Sequence, residues 1–380
     1  MKRVFIYVLI SFLLTGCSTE EKKEEQQKEL VQIQEKEEKE MKEYLEEALK
    51  KCEPIYGKVK KGDSDNLVLS EEIVHEMINI LSKDGTAVIC GNHDSDMKNF
   101  EQVEKAILQG KKGKNLETEF FEINKDGYFF FYRLFFQKKE LIITSASASF
   151  NENREAEIHQ IEKYSPYSWK YTEKGWLIWE KECSPNQEMD MHILYRIRPL
   201  EEKCRVAAQN YILPVSYFCN NLFLTDWNEE NMDKICFLDL YDFLYEMKYK
   251  KEIDKGQYKN GVPKKEFEEV IKTFFDLSTE QIEKYARYNP VTGTYPWEPI
   301  GMWNRVQQFL PFPEVVNYIE NEDGTITLLV EAVFQEEGTD CSFQHRVTIK
   351  KNGEKWYYIE NKLNSDQQDK VPKYQPRSSF

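Results

Sequence analysis

Four consecutive residues, Gly91-Asn92-His93-Asp94, carry the side chains from which hydrolytic metal sites are built, and Gly62-Asp63 lies upstream of them. They follow the extended stretch Thr86–Cys90, which would deliver them to the end of a strand. A bridged pair of metal ions needs an Asp-x-His on an earlier strand and further histidines downstream. No Asp-x-His precedes Gly62, and His159, His192 and His345 stand singly in strand-like patterns. Asn92, Asp94 and Asp96 also match the odd-numbered ligands of a calcium loop. Met97, however, stands where such a loop needs glycine, and Val103 where it needs glutamate. The competing explanation is a loop in which Asp94 or Ser95 caps the helix that begins near Asp96.

The same element resembles the strand-then-Gly-Asn-His-acid motif of calcineurin-like metallophosphoesterases. The likeness implies phosphoester hydrolysis around Gly91–Asp94, and the absent ligands make that the secondary expectation. No Gly-x-Ser-x-Gly elbow, Walker loop, His-Glu-x-x-His or dinucleotide fingerprint occurs. No catalytic residue, metal ligand or cofactor is therefore assigned. Ser145, Ser147 and Ser149 alternate along a strand and form a polar face, not three nucleophiles. His345 shares a strand face with Phe343, Val347 and Ile349. It is either a hydrogen-bonded core histidine or, beside Trp356 and Tyr358, part of a pocket as a ligand or proton-handling group. The aromatic cluster Tyr164, Tyr167, Trp169, Tyr171, Trp176 and Trp179 is either core or an exposed platform for a sugar or peptide.

Different chemistry is written at the N-terminus. Lys2 and Arg3 precede an apolar run from Val4 to Leu14, broken only by Ser11, and Thr15-Gly16 then leads into Cys17. The run is too short to span a bilayer and suits a signal peptide. Leu14-Thr15-Gly16-Cys17 resembles the lipobox of bacterial lipoproteins. That implies removal of residues 1–16, a diacylglyceryl group on Cys17, and a chain lipid-anchored at the extracytoplasmic face of the cell membrane. The competing explanation is an ordinary signal peptide cleaved elsewhere, with Cys17 unmodified.

Charge narrows the partners. Without Lys2 and Arg3, 50 basic residues face 67 acidic ones, a formal charge of −17 against −15 for the whole chain. Nucleic acid is excluded as a partner because it needs a clustered basic surface to displace counterions. The other seven cysteines form neither close pairs nor a Cys-x-x-Cys. Of these, Cys90, Cys204 and Cys236 sit in apolar contexts as small buried hydrophobes.

The elements that must position these side chains suggest an α+β protein of two domains, at about 150 residues each. Residues 17–50 hold twelve Glu, seven Lys and neither Gly nor Pro, a charged stalk whose stripe Met41, Tyr44, Leu45, Ala48 and Leu49 docks on the first domain. Domain A (51–200) and domain B (201–363) each place helices before a curved antiparallel sheet, and a polar tail (364–380) follows. Tyr128–Phe136 is apolar on both faces and must be covered on both sides. Asn124-Lys-Asp-Gly127 and Asn321-Glu-Asp-Gly324 precede comparable strands, and a Gly/Trp strand closes each half. These matches fit either a duplication or separate reuse of a common hairpin turn.

In element order, each unit resembles the cone-shaped fold of the nuclear-transport-factor-2-like superfamily. Leu222-Phe-Leu-Thr-Asp-Trp227, Phe237-Leu-Asp-Leu-Tyr241, Pro263-Lys-Lys-Glu-Phe267, Tyr295-Pro-Trp297 and Tyr358-Ile-Glu-Asn-Lys362 resemble an uncharacterised lipoprotein family of anaerobic Gram-positive bacteria. That likeness brings no activity with it. The expectation is a surface-anchored, non-catalytic protein that binds a protein, peptide or cell-wall component. An envelope-directed hydrolase is the alternative.

Overall fold

The computed structural model describes residues 20–59, 68–91, 96–181, 191–254, 256–300, 309–353 and 355–377, with backbone alone for 20–34. The fold is α+β. Helix α1 (Glu20–Tyr56) has 37 residues, about 55 Å of rod at 1.5 Å per residue. Near its C-terminal end Met41, Leu45, Ala48, Leu49, Cys52 and Ile55 recur on one face and are buried. They pack against Val74, Met77, Ile78 and Leu81 of α2 (Glu71–Leu81). Ser70 caps α2 by accepting from the Ile73 amide at 3.4 Å, and Glu71 and Glu72 complement the helix dipole.

These two helices cover one face of a five-stranded sheet with spatial order β1 (Val88–Cys90), β2 (Leu116–Ile123), β3 (Phe129–Gln137), β4 (Glu140–Phe150) and β5 (Ala156–Tyr164). The sheet is not wholly antiparallel, because β1 pairs parallel with β2. Parallel neighbours need a crossover, and α3 (Phe100–Lys111) supplies it. Strand β3 is buried from both sides. Phe129 and Phe131 meet α1 and α2, while Tyr132, Leu134 and Phe136 meet α3 and a second sheet.

That second sheet, β6 (Ser168–Tyr171), β7 (Trp176–Lys181) and β8 (Met191–Arg196), separates from the first. Its strands alternate between two cores. Leu177, Trp179 and Tyr195 face β3, whereas Trp176, Ile178 and Leu194 face Val333 and Phe312 of the second half.

The second half opens with α4 (Glu202–Ala207), which runs into one π-helical turn. It continues through α5 (Phe237–Tyr249), α6 (Lys264–Phe274) and α7 (Thr279–Tyr285). A complete capping box of Ser278 and Gln281 starts α7. The short β9 (Trp227–Asn228) joins the edge of a meander formed by β12 (Phe312–Glu320), β13 (Thr325–Val333), β14 (Gln344–Asn352) and β15 (Lys355–Leu363). The strands β10 (Val262–Pro263) and β11 (Thr294–Tyr295) pair separately. One core joins this sheet to the helices through residues such as Leu240, Phe267, Ile271, Leu328, Val347 and Tyr358. Cys90 and Cys204 are buried among apolar side chains, and Cys236 is half-buried.

Two features were not evident from residue patterns. The segment after β15 is fastened rather than loose: Arg377, with its side chain 3% exposed, lies 3.0 Å from Asp239 and 2.5 Å from Asp242 of α5. The halves are also joined by buried charge. Arg196 Nε stands 3.0 Å from Glu314 Oε1. The Trp176 indole N–H donates to Glu314 Oε2 at 3.2 Å, and Lys174 pairs with Glu331 at 2.5 Å.

Candidate functional site

Cys17 and the Asn92–Asp94 stretch lie outside the described residues. Gly91 is described. It sits just past β1, where a Cβ would lie 2.6 Å from Glu122 Oε1, so glycine is what lets this strand end close over that carboxyl.

His345 belongs to the core. It is 1% exposed, and its hydrogen bonds can be oriented without ambiguity. Asn361 Nδ2 donates to the Thr225 carbonyl at 2.8 Å, so Asn361 Oδ1 is the acceptor that faces His345 Nδ1 at 2.7 Å. Nδ1 must then carry the proton, and Nε2 accepts from the Tyr217 hydroxyl at 2.9 Å. Burial pushes the imidazole down to about 4, against the opposing pull of Asn361, which leaves a neutral ring with both nitrogens satisfied.

Trp356 and Tyr358 pack edge-to-face at 4.8 Å, and the Tyr358 hydroxyl donates to the Tyr211 carbonyl at 2.5 Å. Of the three residues expected to share a pocket, His345 and Tyr358 are therefore core groups linked through Phe223, whose ring centroid lies 5.5 Å from His345 and 6.0 Å from Tyr358, while Trp356 is half-buried beside Tyr358. A shallow cavity of about 220 Å³ borders His345, but its walls are Leu329, Gln344, Arg346, Lys362 and the chain that follows, without Trp356 or Tyr358. Replacing Asn361 by Leu strands the His345 N–H. The expected loss is about 1–3 kcal/mol, measured as a lower urea midpoint with an unchanged m-value.

The aromatic cluster is core as well. Trp176 and Trp179 are fully buried and Tyr171 nearly so, while Tyr167 points outward. An exposed platform does not form there, because β7 is sandwiched between two cores.

The face that does carry accessible polar and aromatic groups belongs to the first sheet, beyond the cover of β6–β8. Period-two alternation puts Tyr128, Phe130 and Tyr132 on one side of β3, with ring centroids 6.3 and 6.4 Å apart. Register places Phe130 opposite Ser147 and Tyr132 opposite Ser145 on β4. The same register sets those serines opposite Gln160 and Glu162 on β5. On the other flank Phe130 pairs with Glu122. Ser149 and His159 hydrogen-bond at 2.8 Å, and the His159 ring lies 5.5 Å from Tyr128.

Register puts three carboxyls on this face: Glu157, opposite Ser149, is exposed, and Glu122 and Glu162 are held differently from each other. Burial raises Glu122 above the usual carboxylate range, opposed by the hydroxyl that Tyr195 donates to it. Glu162 is compensated: Lys181 Nζ stands 2.5 Å away, and Ser145 and Gln160 donate at 3.4 and 3.1 Å. Lys181 also lies over the Tyr164 ring at 4.7 Å. The backbones of β2 and β5 are three strand spacings apart, about 14 Å. The arrangement suits recognition. Sequence reading noticed the three serines as a polar face and Tyr128–Phe136 as a strand, but did not set the two side by side, although Tyr128, Phe130 and Tyr132 alternate with the same period.

Among the described residues, no three His, Cys, Asp or Glu side chains group as metal ligands. No described helix is long and apolar enough to cross a membrane. The model of DUF6070, a family of unknown function, matches residues 37–377. The chain belongs to the DUF6070 family. The DUF6070 match begins just before Met41, the first buried side chain among those described in α1, and ends at the buried Arg377. It thus takes in both sheets of the first half, the whole second half and the C-terminal strap. No curated protein and no solved structure is similar enough to count as a match.

Proposed function

We propose that this chain is a lipid-anchored protein of the extracytoplasmic face of the cell membrane, and that its packed body is a non-catalytic module binding a protein, peptide or wall component. The observation that carries this is the order Leu14-Thr15-Gly16-Cys17, then a charged helix running from Glu20 into the body. Two acyl chains on Cys17, at about 0.8 kcal/mol per buried methylene, hold the chain to the bilayer. The helix then acts as a spacer, since its acidic surface is repelled by anionic lipid headgroups. Binding rather than catalysis is supported by His345, enclosed and neutral in the core.

The test is fractionation of host cells that express the wild type or Cys17→Ala. Wild-type protein is expected in the membrane pellet, extractable by detergent alone. The variant is expected to lose that detergent-dependent partitioning. A wild-type chain found in the soluble cytoplasmic fraction, or a variant that still needs detergent, contradicts the anchor.

A further inference from the structure

We infer that the sheet of the second half carries a binding site for a small phosphate monoester, built on Arg346 of β14 and Lys362 of β15. The site goes beyond the binding role proposed above and is independent of the anchor. Three observations converge on it.

First, the backbone sets two cations side by side. Register places Arg346 directly opposite Lys362, and the Cβ atoms of such a pair lie about 4.5–5.5 Å apart. Like charges in that position repel and weaken the sheet. Both side chains are exposed, and neither has an ion-pair or hydrogen-bond partner among the described residues. This is in a chain of formal charge −15, where Lys163, Lys181 and Lys248 each reach a carboxylate at 2.7 Å or less.

Second, the pair stands at the shallow cavity of about 220 Å³ described above, and no carboxylate lines it. The acids around it are engaged elsewhere. Glu360, opposite Thr348, accepts from the Thr348 hydroxyl at 3.3 Å. Glu331, opposite Gln344, pairs with Lys174 and accepts from the Gln344 amide at 2.6 Å. Asp366 accepts from the Ser365 hydroxyl at 3.2 Å, and Asp226 from the Leu363 amide at 2.6 Å. The lining therefore presents two positive charges and no negative one.

Third, charge and size select the occupant. A phosphate monoester carries about −1.5 to −2 and three strong acceptor oxygens, which matches two cations. A carboxylate or a phosphodiester has a single charge and leaves one cation uncompensated. A guanidinium forks to two phosphate oxygens, and an ammonium meets the third as a point charge. The cavity is smaller than the ~300–1,000 Å³ of pockets that enclose drug-sized ligands, so it suits a small anion.

The experiment uses the full-length protein in neutral detergent at constant ionic strength. It is titrated calorimetrically with inorganic phosphate, glycerol 3-phosphate, glycerophosphoglycerol and acetate. The diester represents a lipid headgroup as the source of phosphate. Saturable one-to-one binding of the first two is expected, at least tenfold tighter than the diester or acetate. Arg346→Gln and Lys362→Gln should each weaken it about tenfold. Neither should lower the thermal midpoint, because each removes a repulsion at an exposed position. Lys350→Gln, exposed on the same strand but outside the cavity, should leave the affinity unchanged.

No saturable binding at millimolar phosphate overturns the proposal, as does binding that neither cavity variant alters. An equal loss in Lys350→Gln overturns it too, since diffuse surface charge would then explain the binding. Acetate or the diester binding as tightly as the monoesters also contradicts it, the diester pointing to a lipid headgroup instead. None of these results bears on Cys17, so the anchor is judged by the fractionation alone.

Discussion

Arg196→Ala is expected to destabilise the protein by about 3–5 kcal/mol above neutral pH, the usual cost of leaving a buried charge without its partner. Arg196 and Glu314 are each 5% exposed and come from opposite halves. Arg196 also donates to the Lys174 carbonyl at 2.7 Å, and its guanidinium lies 5.4 Å over the Trp176 ring. Burial, opposed by Arg196, pushes the Glu314 carboxyl up to about 7 from an ordinary 4.5. Glu331 and Asp340 add to the rise.

The folded state therefore holds a proton that the unfolded chain has released. This group's contribution to wild-type stability is complete below about 4.5 and is lost as pH rises through about 7. Without Arg196 the carboxyl stays protonated to still higher pH. The gap between variant and wild type should thus shrink as pH falls below about 7, where Glu314 is neutral in both. Urea unfolding followed by tryptophan fluorescence at several pH values checks this. A gap that is constant with pH would mean that the pair does not titrate as a unit.

Arg377→Ala should cost a similar amount, about 3–5 kcal/mol. Arg377 is the only cation paired with both Asp239 and Asp242 among the described residues. Its amide also donates to Asp239 at 3.0 Å, and its guanidinium donates to the Leu238 and Glu298 carbonyls at 2.8 and 3.1 Å. Removing it leaves two acids one helical turn apart on α5 with their charges facing. The strap should then open, giving tryptic cleavage at Lys370 or Lys373 before the body is cut. Arg377→Lys should recover only part of the loss, because an ammonium cannot fork to two carboxylates and two carbonyls at once. Equal protease resistance in all three proteins would mean that the strap is held by Tyr374 and apolar contact instead.

What residue patterns revealed follows from local physics. Ser70 and the spacing Val74-Met77-Ile78-Leu81 specify α2, Ser278 with Gln281 specifies the start of α7, and the two-sided apolar run of β3 requires layers on both faces. Strand β2 escaped notice because Glu117, Glu119 and Glu122 interrupt its apolar pattern, although Phe120, Phe121 and Ile123 are buried. Strand β12 was hidden by Pro313 and Glu314, a carboxylate that only tertiary pairing with Arg196 makes tolerable inside. Arg377 lies far in sequence from Asp239 and Asp242, so no local rule could tie the tail down.

The internal likeness is half visible in the structure. Asn124–Gly127 and Asn321–Gly324 each join the first two strands of a four-stranded meander. In both, the glycine amide bonds back to the asparagine carbonyl. The glycines have φ of 80° and 79°, the left-handed conformation in which glycine is favoured. The Gly/Trp strands do not correspond, since Trp176 lies in the separate sheet and Trp356 in the fourth strand of its meander.

Intact mass spectrometry of the N-terminal peptide, taken from protein purified out of its own host, tests the central claim most directly. The expected result is a peptide beginning at Cys17 and carrying the mass of a thioether-linked diacylglyceryl group. A peptide that contains Cys17 as an unmodified thiol, or that still retains residues 1–16, contradicts the anchor on which the proposed function rests.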